Sequence, residues 1–125
     1  MGALVENLLN GGAYSRFEYA IKSAETKRKY VSRLEQFFDY CKLEGITIKE
    51  KAENFVRFTK ENDPEKVTDL ILNYMLYHIN RAAKKIISKS TVRNFYKPIK
   101  LFCDKNSIMF NSRVITRAKI GRAHV

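Results

Sequence analysis

Acidic residues almost disappear from the last third of this chain. Residues 81–125 contain twelve Lys and Arg but a single acid, Asp104, whereas residues 1–80 hold twelve of each sign. The formal charge of +11 therefore belongs to the C-terminal part. Glycine and proline are also scarce, at 5 and 2. So few breakers favour helices joined by short connections. Two cysteines, Cys41 and Cys103, do not make a disulfide framework, and a reducing, cytoplasmic setting is expected. No apolar run is long enough to span a bilayer. Met1 to Asn10 lacks the basic region and apolar stretch of a secretory signal, so no membrane association is expected. No cluster of Cys, His, Asp and Glu has metal spacing, and there is no Gly-rich phosphate loop or nucleophile–base–orienter set. The expectation is a chain without metal, cofactor, small-molecule ligand or catalysis of its own.

What is present suits one all-α domain. The 125 residues are 45% hydrophobic, with 8 Phe and 7 Tyr, enough for a core without staples. Tyr30, Leu34, Phe37, Phe38 and Cys41 recur at helical spacing after Ser23-Ala24-Glu25-Thr26, with Ser23 or Thr26 as the cap and Gly45 as the stop. A second helix is expected over Lys49 to Lys60, with Ala52, Phe55, Val56 and Phe58 inward. A third runs from Pro64 to Ile87, with Asp63 as cap and Val67, Leu70, Ile71, Tyr74, Met75 and His78 as its stripe. Ser88 to Thr91 starts a fourth, whose inner face is Val92, Phe95, Ile99, Phe102 and Cys103, and Pro98 should bend it. Tyr14 and Tyr96 fall off these stripes. Ser23-x-x-Thr26 followed by Tyr30, Leu34 and Phe37 faintly echoes Ser88-x-x-Thr91 followed by Phe95, Ile99 and Phe102.

Two helix starts are both capped and basic. The first carries Lys27, Arg28, Lys29 and Arg33. The second carries Lys84, Lys85, Lys89, Arg93, Lys97 and Lys100. A helix N-terminus offers free N–H groups and a dipole that favours an anion. Cations there oppose the dipole, which makes sense if a phosphate supplies the negative charge. Together with the one-sided charge, this points to duplex DNA as the partner. His78-Ile-Asn-Arg81 matches H-x-x-R, but His78 lies on the apolar stripe and is expected to be a packed core histidine.

Ser23-Ala-Glu-Thr-Lys-Arg-Lys-Tyr-Val-Ser-Arg-Leu-Glu-Gln-Phe-Phe-Asp-Tyr-Cys41 and Ser90-Thr-Val-Arg-Asn-Phe-Tyr-Lys-Pro-Ile-Lys-Leu-Phe-Cys103 resemble the first and last main helices of the SAM-like core-binding domain of tyrosine recombinases (phage-type integrases), in their archaeal form. The resemblance covers about residues 14–110. It implies a domain of four to five helices that clamps duplex DNA opposite a catalytic domain. The parent would cut and rejoin DNA through a phosphotyrosine, alongside other recombinase protomers, with no metal or nucleotide. By position it assigns DNA contact to Thr26, Lys27, Arg28 and Arg33 on the first helix. On the last it assigns Lys89, Ser90, Thr91, Arg93, Asn94 and Lys97. Arg93 or Asn94 would reach a base edge and the lysines phosphates. The family's catalytic residues have no counterpart here.

The boundaries expected are a tail over 1–13, the DNA-binding domain over 14–107 and the start of a linker over 108–119. Ile120-Gly-Arg-Ala-His-Val125 is what a common sequencing adapter encodes in one frame (ATC GGA AGA GCA CAC GTC). The adapter's preceding AG requires a codon that permits only Lys, Gln or Glu before Ile120, and the residue is Lys119. The natural protein is therefore expected to continue past about Lys119. Two other function classes fit the composition: a stand-alone DNA-binding regulator or accessory protein, which needs a helix-turn-helix, and a helical interaction module with a basic face for an acidic partner.

Overall fold

The computed structural model describes residues 12–118; the readings made of residues 1–11 and 119–125 lie outside the described residues. All six elements are helices: α1 (Gly12–Tyr19), α2 (Ala24–Tyr40), α3 (Ile48–Glu61), α4 (Pro64–Ala83), α5 (Lys89–Lys105) and α6 (Ser112–Arg117). The four expected helices are α2 to α5, and two shorter ones flank them.

The echo between α2 and α5 runs from end to end. Each has 17 residues. Ser23 Oγ accepts the Thr26 N–H at 3.3 Å, and Ser88 Oγ accepts the Thr91 N–H at 3.3 Å, which settles the two N-caps. Both helices end in a Schellman motif built on a left-handed residue that is not glycine. Lys42 has φ 58° and Ser107 φ 54°. The next N–H turns back, Leu43 to Phe38 O at 3.2 Å and Ile108 to Cys103 O at 2.9 Å. α4 ends the same way, with Lys85 at φ 63° and the Ile86 N–H on Arg81 O at 2.9 Å.

These motifs move two expected boundaries. α2 stops before Lys42 rather than at Gly45, because the turn returns Leu43 to the core. Gly45 serves a different purpose. Its φ is +135°, and a Cβ there would lie 2.9 Å from Glu50 Cβ and 3.1 Å from the Lys51 nitrogen. α4 ends at Ala83, not Ile87, for the same reason as α2. α5 is one continuous helix through a buried Pro98.

Aromatic rings knit the helices together. Phe102 of α5 lies 5.4 Å, centroid to centroid, from Phe38 of α2, 6.0 Å from Phe55 of α3 and 6.1 Å from Phe17 of α1. Phe37 meets Phe55 edge-on at 5.4 Å and Tyr74 of α4 at 5.1 Å.

Residues 12 and 13, expected in the tail, begin α1 instead. Glu53 Oε2 accepts the Ala13 N–H at 2.6 Å, supplying an anion at a helix start that has none of its own. Gly12 has φ +85°, and a Cβ there would collide with the Glu53 carboxylate. Asn106 ties the same turn to α5, donating to Ala13 O at 3.1 Å and Phe102 O at 3.0 Å while accepting from Arg16 at 3.0 Å.

The stretch expected to start a linker also folds back. The Asn111 N–H donates to Thr68 Oγ1 at 2.8 Å, and α6 packs on α4 with Ile115 fully buried. Tyr14 and Tyr96 are buried rather than off the core: Tyr14 packs within α1, its ring 6.1 Å from Phe17, and Tyr96 meets Phe110 edge-on at 6.5 Å just before α6.

A left-handed conformation strains any residue that carries a Cβ. Ser107→Gly relieves that strain without touching the core. It is expected to raise stability by about 0.5–1 kcal/mol in urea unfolding, and an unchanged or lower midpoint would contradict the motif.

Candidate functional site

α5 has two opposed faces. Phe95, Ile99 and Phe102 are buried against the other helices. At about 100° per residue, Lys89, Arg93, Lys97 and Lys100 share a stripe on the far side. All four are exposed. Lys100 pairs with Asp104 at 3.3 Å. Among the described residues no carboxylate lies within 4.0 Å of Lys89, Arg93 or Lys97.

α2 joins this stripe along one side only. Tyr30 lines a groove with Arg93, Lys97 and Lys100. The Arg33 guanidinium lies over the Phe95 ring, 5.1 Å from its centroid. Thr26 and Lys27, one helical turn before Tyr30, fall on the same side and are half-buried. The other side carries the acids. Glu25 pairs with Lys29 at 3.6 Å, while Glu35 and Asp39 both hold Lys51 of α3, at 3.0 and 2.9 Å. Those two partners, Asp39 first, raise the Lys51 pKa. α2 thus turns its neutralised side to α3 and an acid-free side to α5.

The structure thus brings Tyr30 to Arg93 and Lys97 and lays Arg33 on Phe95, while Thr26 and Lys27 fall on the same side of α2 by helical phase. Lys89 continues the stripe toward the start of α5. Arg28, expected with them, falls instead on the acid-bearing side of α2, about 160° round the helix from Tyr30. Ser90 and Thr91 sit in a hydroxyl cluster at the α5 cap, where Ser88 Oγ is 3.1 Å from Ser90 Oγ and 2.6 Å from Thr91 Oγ1. Asn94 is half-buried one residue off the cationic stripe. Sequence reasoning missed Tyr30 as part of this surface; its apolar spacing read as core alone. It also missed that Phe95 acts as a platform for Arg33.

Behind Phe95 stands a column of rings. His78 stacks on Phe95 at 3.8 Å and 13°, Tyr74 meets His78 edge-on at 4.6 Å, and Tyr40 lies 4.9 Å from Tyr74. His78 is 2% exposed, as expected of a core histidine. Arg81 Nη1 donates to its Nδ1 at 3.0 Å, so Nδ1 is the acceptor and the proton belongs on Nε2. Burial, then Arg81 and Arg33, lower its pKa from 6.5 to about 4. A neutral, buried imidazole beside two guanidiniums holds the ring column together and offers no open catalytic nitrogen. Burial also pushes the Cys41 thiol up to about 12 and the Cys103 thiol higher still, so neither is an activated nucleophile.

Among the described residues there is no group of three metal-ligating side chains, and no helix is long and apolar enough to cross a membrane. No family model matches the chain, and neither curated proteins nor solved structures provide a match.

The depressed His78 pKa has a sign that can be measured. The unfolded chain takes up this proton near pH 6.5 and the folded chain only near pH 4. Stability from this group is therefore complete above pH 6.5 and is lost as pH falls toward 4. The loss is on the order of 3 kcal/mol. In urea unfolding at several pH values, His78→Phe is expected to lose less stability than the parent across that window; parallel profiles would contradict the placement.

Proposed function

We propose that this domain binds duplex DNA on the face where α2 and α5 meet, as the core-binding domain of a tyrosine recombinase. The observation that carries the reading is the cationic groove that Tyr30 of α2 forms with Arg93, Lys97 and Lys100 of α5, with Arg33 lying on Phe95 beside it. Cations that lack a protein counter-ion keep their full attraction for a polyanion. The capped starts of α2 and α5 border that surface and add backbone N–H groups for phosphates. The all-helical architecture and the Ser23–Cys41 and Ser90–Cys103 segments are compatible with the family resemblance. Lys27, Lys89 and Lys97 would sit on phosphates. Arg93 is the candidate for a base edge, with Asn94 beside it. Other protomers on the same DNA would be its protein partners, in the nucleoid of a cytoplasm. The domain supplies grip and orientation, and the chemistry belongs to the parent's catalytic half.

The α3–α4 pair bears on the rival reading as a stand-alone regulator. Only Asn62 and Asp63 separate these helices, the one tight connection between long helices here. The second of them opens with Asp63, Glu65 and Asp69, which repel phosphate. No recognition helix is offered there.

Salt dependence tests the proposal. With roughly five phosphate contacts, log affinity for duplex DNA should fall against log salt with a slope near −4 to −5. Lys89→Gln combined with Lys97→Gln should flatten that slope by about 2. No binding to duplex DNA even at low salt would favour an interaction module for an acidic protein.

A further inference from the structure

The groove between α2 and α5 is more than a flat basic surface. It encloses about 510 Å³, within the range of small-molecule sites. Its walls are chiefly apolar, built from Tyr30, Tyr96, Leu101 and the aliphatic stems of the lysines. Its charged groups are Arg93, Lys97 and Lys100, balanced only by Asp104, which already holds Lys100. Tyr96 is 5% exposed, and its hydroxyl is buried with no hydrogen-bond partner. An apolar hollow with two uncompensated cations suits a particular chemistry: an apolar body that ends in one negative head.

We propose that this groove binds an amphipathic monocarboxylate, with its chain or ring against Tyr30 and Leu101 and its carboxylate on Arg93 and Lys97. A nucleic-acid phosphate matches the cations but leaves the apolar walls uncovered. A neutral apolar molecule covers the walls but leaves the cations unmatched. Only the amphipathic anion satisfies both. The Tyr96 hydroxyl is a donor without a partner, from which a carboxylate oxygen would accept a hydrogen bond if the side chain turned it to the groove. A consequence, which rests on the DNA-binding reading, is competition. Arg93 and Lys97 cannot serve a bound carboxylate and DNA at once, so the anion should release DNA.

Octanoate and 1-octanol differ mainly in charge and make a matched pair of probes for the whole chain. Octanoate should bind with a Kd of roughly 1 mM or tighter in calorimetry. Its amide shifts should centre on Tyr30, Tyr96 and Leu101. The alcohol should bind at least about tenfold more weakly, because it lacks the charge-assisted hydrogen bonds. Arg93→Gln with Lys97→Gln, checked for an unchanged helical spectrum, should abolish that preference. Equal binding of the two probes, shifts centred elsewhere or no binding would each overturn the site. A chain that binds octanoate in the groove but does not bind DNA supports the site and removes the proposed function. If it binds both without competition, the groove stands and its regulatory role falls.

Discussion

Phe102 is the contact on which the rest depends. Its ring lies among Phe17, Phe38 and Phe55, so one side chain of α5 meets three other helices at once. Full burial of such a ring contributes about 1.5–3 kcal/mol, and truncating it would cost more through the cavity left behind. Its larger effect is geometric. A slip of one residue would rotate α5 by about 100° and drive cations toward the core. Fixing Phe102 inward therefore fixes Arg93 and Lys97 outward. The cationic surface is the reverse side of the packing constraint.

The charges follow from the same arrangement. α2 is clamped to α3 by Lys51, which sits between Glu35 and Asp39. That pairing uses acids that would otherwise moderate the basic surface. On the side of α5, among the described residues, no acid remains except Asp104, which is engaged by Lys100. Arg93 and Lys97 are four residues apart on one helix, a spacing at which like charges repel. An anion from outside relieves that repulsion. Under the proposed function, stability given up on this face in the free chain becomes affinity for DNA.

Much of this was legible in the residue pattern. The 3.6-residue spacing of Tyr30, Leu34, Phe37 and Phe38, and of Val92, Phe95, Ile99 and Phe102, located α2 and α5. Ser23 and Ser88 marked their starts. The side of each helix that carries cations could also be read. Three features could not. The stops at Lys42, Lys85 and Ser107 lack the glycine that signals such a turn, because hydrophobic return and backbone hydrogen bonds hold them instead. α1 and α6 are too short to show periodicity, and both depend on distant partners, Glu53 and Thr68. The displacement of Arg28 from the basic face follows from how α2 is rotated against α3, which no local pattern reveals.

One face, made jointly by α2 and α5, is proposed to receive the anion. Amide shift mapping during titration with a duplex oligonucleotide at low salt is the test. Shifts are expected to be confined to Thr26–Arg33 and Lys89–Lys97, with α3 from Lys49 to Lys60 left unmoved. Shifts centred on α3, or on the exposed Tyr40 and Tyr77 side of the ring column, would contradict it.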